Sequence, residues 1–152
     1  MIPFMKQINI TYRCGVMYRD KQLASLGLNG CQTPYLTVLY RSPGISQEDL
    51  ARQLNVNKSS VARQLAALES LGYVRREVSP EDRRALLAYP TDKALAIREQ
   101  VMHVLHAWRE YLLQGFTQEE QTVLSGLLTR VAERAEAYVK GGDGACDSSS
   151  TI

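Results

Sequence analysis

Apolar positions recur along most of this chain at helical spacing and break off at a few well-marked places. From about residue 4 to 26 there is no proline, and Met5, Ile8, Tyr12, Val16 and Leu23 fall near a 3.6-residue period, which predicts a long first helix ending at about Gly27. "GLNGCQTPY" then interrupts the pattern. Pro34 suits the first turn of a short second helix through "PYLTVLYR", whose apolar positions are Leu36, Leu39 and Tyr40, and "SPG" at 42–44 stops it. Two further short helices are expected in "SQEDLARQLNVNKSSVARQLAALESLGYV". Ser46 with Asp49 resembles a capping box, Leu50 and Leu54 share a face, and "NVN" breaks the run before Asn57 caps the next helix. In that helix Val61, Leu65 and Leu68 form the buried stripe, and Gly72 ends it.

Residues 73–78 and 85–89 read as two short strands, with Pro80 at the second position of a type I turn in "SPED". After Thr91, a candidate N-cap, a helix over about 92–114 carries Ile97, Val101, Val104, Leu105, Trp108 and Leu112. Thr117 and Glu120 repeat the capping signal for a last helix, 117–140, with Leu124, Leu127, Leu128, Val131 and Ala135. "GGDGACDSSSTI" has almost no apolar content and predicts a disordered tail, 141–152. A helix, a tight turn, a second helix and a hairpin follow one another in the order of a winged helix-turn-helix. The expected fold is therefore mainly α. It is a single domain, 1–140, with a winged helix-turn-helix at about 33–90, a small two- or three-stranded β wing, and long N- and C-terminal helices (about 4–26, 92–114 and 117–140) forming a dimerisation region. The first and last helices bear apolar stripes that a small winged core cannot cover, which calls for a second copy.

Composition narrows the class without naming it. With 152 residues, 45% apolar and 22% charged, the chain is long enough for one cored domain and is neither fibrous nor disordered overall. No apolar run reaches the roughly 18 residues of a membrane span, and "MIPFMKQINI" has neither a basic n-region nor an h-region, so a soluble cytoplasmic protein without membrane contact is expected. Three widely spaced cysteines, Cys14, Cys31 and Cys146, read as free thiols of a reducing compartment.

A net charge of +2 does not by itself imply a polyanionic partner, so placement has to decide. The second helix of the pair fits a major groove about 12 Å wide, and a hairpin beside it reaches the backbone or minor groove. At the start of that helix Lys58, Ser59, Ser60, Arg63 and Gln64 offer donors to bases and phosphates of double-stranded DNA. The hairpin adds Arg75, Arg76, Arg83 and Arg84 in "VRREVSPEDRRALLAY". Arg75 and Arg76, on the first strand, meet either phosphates or acidic neighbours. The alternative of another class is a winged helix that binds protein rather than DNA, with the arginines merely solvated.

The stretch "ISQEDLARQLNVNKSSVARQLAALESLGYVRREVSPEDRRALLAYPTDKA" resembles the DNA-binding core of the MarR family of bacterial transcription regulators. Asp82, Arg83, Arg84 and Thr91 match the family's wing signature, Asp-x-Arg followed by five residues and Leu-Thr, except that Pro90 stands where leucine is usual. The resemblance implies a homodimer that binds a pseudo-palindromic operator, usually as a repressor, and is released by a small phenolic or other aromatic effector or by an oxidant. It implies that Arg84 enters the minor groove, that Asp82 holds a wing or helix arginine in place, and that Lys58, Ser59, Ser60 and Arg63 lie in the major groove. It also places an effector pocket between winged core and dimer helices, near Met17, Tyr18, Tyr35 and Leu39.

Cys14, between Tyr12 and Tyr18, resembles the thiol of peroxide-sensing members. The plainer reading is a buried small apolar residue. His103 and His106 share a helix face and, with Cys31, could hold zinc, but helical histidines four apart chelate more readily and no carboxylate is placed to help, so no metal is assigned. No phosphate loop, metal-hydrolase spacing or nucleophile elbow occurs, so neither an enzyme nor a cofactor is expected.

Overall fold

A computed structural model describes residues 1–141, which group into two units, one comprising Met1–Leu112 and the other beginning at Leu113. The tail expected at 141–152, with Cys146, lies outside the described residues apart from Gly141.

The first unit opens with α1 (Phe4–Leu23), which tightens into a 3-10 turn at Ala24–Leu26 and stops at Gly27, held at φ +73 where a residue with a Cβ would be strained. Of the stripe predicted for α1, only Leu23 is buried. Ile8 and Val16 are half-buried, and Met5 and Tyr12 are exposed. A close approach follows at Gly30, where a Cβ would stand 2.5 Å from the Val16 carbonyl. Asp20 accepts the Gly30 N–H and Arg19 donates to the Gly30 carbonyl, so the loop is pinned to α1.

Helix α2 (Thr33–Arg41) brings Tyr35, Leu36, Leu39 and Tyr40 into the core. Strand β1 (Ile45–Ser46) leads directly into α3 (Gln47–Leu54). The Ser46 hydroxyl caps α3 by accepting the Asp49 N–H, and Asn55 closes the helix in the left-handed region. Helix α4 (Lys58–Ser70) is capped by Asn57 and buries Val61, Leu65 and Leu68, the stripe its spacing predicted. Strands β2 (Val74–Val78) and β3 (Leu86–Pro90) then form an antiparallel hairpin, with β1 added on the far side of β3 in the order β1-β3-β2. The third strand answers the question of two or three, and the fold is the winged helix-turn-helix the element order implied.

Two expectations need correction. The helix predicted over 92–114 is two helices, α5 (Asp92–Ala96) and α6 (Arg98–Leu112), broken at Ile97 (φ −99, ψ 2), whose N–H reaches back to Ala94 and Leu95. The break has a tertiary cause: Ala94 is fully buried, and its carbonyl accepts the Tyr40 hydroxyl at 2.8 Å, so α5 stays docked on the winged core. Burial pushes the Tyr40 phenol up to about 12, which keeps that donor protonated. The hairpin also does not turn at "SPED". Ser79 bonds the Ala85 carbonyl through its N–H and accepts Glu81 and Asp82 N–H groups on its hydroxyl, and the backbone turn falls at Asp82–Ala85 instead.

The second unit contains α7 (Gln118–Lys140). Thr117 and Glu120 make the predicted capping box, with the Thr117 hydroxyl on the Glu120 N–H and the Glu120 carboxylate on the Thr117 N–H. No residue of α7 is buried. Val123, Leu127, Leu128, Val131, Tyr138 and Val139 are all exposed. No described helix is long and apolar enough to cross a membrane.

Candidate nucleic-acid interface

The N-terminal end of α4 is organised by one side chain. Asn57 Oδ1 accepts the Ser60 N–H at 2.7 Å and the Ser59 hydroxyl at 2.8 Å, which fixes the first turn and satisfies part of its open N–H row. With Val61, Leu65 and Leu68 turned into the core, Lys58, Ser59 and Arg63 are exposed and Ser60 and Gln64 half-buried. Arg63 bonds the Ser60 hydroxyl at 3.3 Å, a contact weak enough to exchange for a phosphate or base. The helix N-terminus adds a fixed positive field on the same side.

Beside it, the wing loop presents Arg83 and Arg84. Asp82 accepts the backbone N–H of Arg84 at 3.0 Å, so the carboxylate shapes the loop and leaves both guanidinium groups unpaired among the described residues. The resemblance implied that Asp82 holds a wing or helix arginine in place. The structure has it holding the arginine's backbone. Arg84, Asp82 and Lys58 border an open cleft of about 330 Å³ with Gln47 and Glu48, so the wing tip and the start of α4 come together as the sequence required. Lys58 lies 3.6 Å from Glu48, an exposed pair that holds it loosely.

Arg75 and Arg76 behave differently. Arg75 pairs with Glu77 and lies over the Tyr89 ring at 4.2 Å. Arg76, half-buried, donates to both carboxylate oxygens of Glu69 on α4, at 3.1 and 3.3 Å, and to Gln47 on α3 at 3.2 Å. The hydrogen bond from Arg76 also lowers the Glu69 pKa below the ordinary glutamate value. Of the two partners left open for these arginines, both take acidic neighbours. Glu69 and Gln47 carry no signal in the sequence, since they reach Arg76 only once α3, α4 and β2 are assembled.

The remaining candidates are scattered. Tyr35 and Leu39 are closed in the core, Tyr18 stacks on Trp108 with ring centroids 4.8 Å apart, and Met17 is exposed, so these four do not line the cleft at the wing. Burial raises the pKa of Tyr35. Cys14 is exposed, against the plainer expectation of a buried apolar residue, and Cys31 is exposed too. Among the described residues no three histidine, cysteine or carboxylate side chains are placed to hold a metal, so His103, His106 and Cys31 are not brought together.

Comparison with known proteins agrees with this geometry. Residues 26–85 match the MarR family. A crystal structure of MarR is similar over 92% of this chain and 95% of that one, with 31% identity and a TM-score of 0.81. The HTH-type transcriptional regulator YybA of Bacillus subtilis (strain 168) is 29% identical over 146 residues, 94% of this chain and 97% of that protein. A MarR family transcriptional regulator from Listeria monocytogenes, solved with a 26mer DNA, shares the fold at a TM-score of 0.84, with 24% identity over 94% of this chain and 97% of that one. These homologues are regulators of transcription, not enzymes. A capped helix and an arginine-tipped wing on this fold, matched along nearly the whole chain at that identity, place the protein in the MarR family of transcriptional regulators.

Proposed function

We propose that the protein binds duplex DNA as a homodimer and represses from a pseudo-palindromic operator. The observation that carries this reading is the contrast at the wing: among the described residues neither Arg83 nor Arg84 has an acidic partner, and Arg84 shares a cleft with Lys58 at the start of α4. Helix α4 then lies in the major groove through Lys58, Ser59, Ser60, Arg63 and Gln64, and Arg84 enters the minor groove, where width and A·T content are read. The DNA-bound Listeria monocytogenes relative supports the same use of the fold. The exposed apolar side chains of α7, and Phe4, Met5, Ile10 and Tyr12 on α1, support a second copy of the chain as their cover.

Release from the operator by a small phenolic or other aromatic effector belongs to the same reading. The Tyr18–Trp108–Tyr111 ring stack and the exposed Met17 next to Tyr18 support it by offering aromatic and thioether surface to such a ring. The test of the central claim is equilibrium binding to randomised duplex DNA across a salt series, with sedimentation to give the oligomeric state. A dimer whose affinity falls steeply as salt rises is expected. A dimer that binds no duplex at low salt contradicts the proposal and favours a protein-interaction module.

A further inference from the structure

The cleft between the wing tip and the start of α4 holds as many acids as bases. Lys58 and Arg84 border it, and so do Glu48 and Asp82. Asp82 has a structural task there, since it accepts the Arg84 N–H and shapes the wing loop. Glu48 has no such task. It is the second residue of α3, and its neighbour Asp49 is engaged within that helix by the Ser46 hydroxyl and by Arg52. The N-terminal field of α3 favours both acids, but Glu48 reaches across to α4, where its Oε1 lies 3.6 Å from Lys58 Nζ. Among the described residues this is the only ion pair that either side chain makes.

We propose that Glu48 competes with phosphate for Lys58 and so restrains sequence-independent binding of duplex DNA. This rests on the DNA-binding reading above. The Lys58 and Glu48 side chains are 78% and 64% exposed, and their separation is beyond a hydrogen bond. Such a pair is worth about twofold to fivefold in an equilibrium, too little to keep Lys58 from a phosphate. Lys58 must nevertheless give up Glu48 before it meets one, so the cost of parting them is subtracted from the affinity for DNA. Phosphates carry no sequence information, and the subtraction therefore falls on every duplex alike. A regulator that has to find few sites among very many benefits from a smaller sequence-independent term, because less of it is held elsewhere. The restraint needs no second copy of the chain and no movement of the backbone, only the exchange of one exposed partner for another.

The experiment titrates the full chain with a mixed-sequence duplex across a salt series, for wild type, Glu48→Gln, Lys58→Met and the double variant. Glu48→Gln should bind about threefold more tightly at low salt. Its slope of log K against log salt should be steeper by up to about 1, because Lys58 now arrives unpaired. In the Lys58→Met background the same substitution should raise affinity by at most about 1.5-fold and leave the slope unchanged, since no ammonium remains to be released. Glu48→Ala, which brings no amide to the interface, should match Glu48→Gln. Unchanged or weaker binding by Glu48→Gln, or a gain that Glu48→Ala does not share, overturns the proposal. So does a larger gain in the Lys58→Met background, which would mean that the carboxylate repels phosphate directly. In each of these cases wild type still binds duplex and the DNA-binding reading stands. Absence of duplex binding by wild type overturns that reading and this inference together.

Discussion

Two pairs of arginines stand within ten residues of one another on the hairpin and face opposite fates. Arg75 and Arg76 lie in the ladder of β2, opposite Tyr89 and Ala88 of β3, so their side chains leave opposite faces of the sheet. Arg76 emerges between α3 and α4 and is held by Glu69 and Gln47; Arg75 emerges on the other side and rests on Tyr89 beside Glu77. Arg83 and Arg84 sit outside the ladder, on a loop where Ser79 accepts the Glu81 and Asp82 N–H groups and Asp82 accepts that of Arg84, and neither guanidinium has a partner among the described residues. Between Lys58 and Arg84 six cations face four acids, and that count gives no hint of the division. A polyanion meets the charges the fold leaves uncompensated, and here those are at the tip.

Substitutions can break this contrast in order of effect. Arg83→Ala with Arg84→Ala should weaken binding to a selected duplex by about 100-fold, from about 1–3 kcal/mol per contact, in a gel-shift or anisotropy titration. The thermal midpoint should scarcely move, because exposed side chains without partners contribute within about 0.5 kcal/mol of stability. Arg76→Ala should do the reverse. It removes charge-assisted bonds from a half-buried site and costs about 1–2 kcal/mol in urea unfolding, while the folded protein keeps its DNA affinity. If Arg76→Ala weakens DNA binding more than Arg84→Ala at unchanged stability, the division of labour is inverted.

The Arg76–Glu69 contact should also depend on pH. Because Arg76 lowers the Glu69 pKa in the folded state, the stabilisation is present above the unfolded carboxylate pKa and is lost as pH falls through the lower folded value. A double-mutant cycle with Arg76→Ala and Glu69→Gln should therefore show coupling at pH 7 that shrinks once the pH drops below about 4. Coupling that is the same in acid as at neutrality would assign the pair's contribution to packing. The smallest effect belongs to Arg75→Ala. Its exposed ion pair and ring contact are worth about 0.5 kcal/mol or less, and duplex affinity should change by less than about twofold.

What the sequence made legible follows the same line between local and assembled. The caps at Ser46, Asn57, Thr91 and Thr117 each depend on a side chain and an N–H three residues on, and each is found where the pattern put it. The buried stripe of α4 was equally readable, because helical period and core face coincide. Ile97 sits in an unbroken helical pattern, and only the docking of Ala94 under the Tyr40 hydroxyl, 54 residues away in sequence, interrupts the helix there. The "SPED" turn failed for a nearer reason: the Ser79 hydroxyl competes for the N–H groups a type I turn would use. At the site, the exposed polar and basic residues at the start of α4 and at the wing tip were visible in sequence, whereas the partners that hold Arg75 and Arg76 were not.

The measurement that bears most directly on the central claim is the salt dependence of duplex binding for wild type, Arg84→Ala and Arg75→Ala, measured side by side. If the tip arginine meets DNA and the strand arginine does not, Arg84→Ala should reduce the slope of log K against log salt by about 1, and Arg75→Ala should leave it at the wild-type value. Equal slopes for wild type and Arg84→Ala, or a larger reduction in Arg75→Ala, would contradict the account.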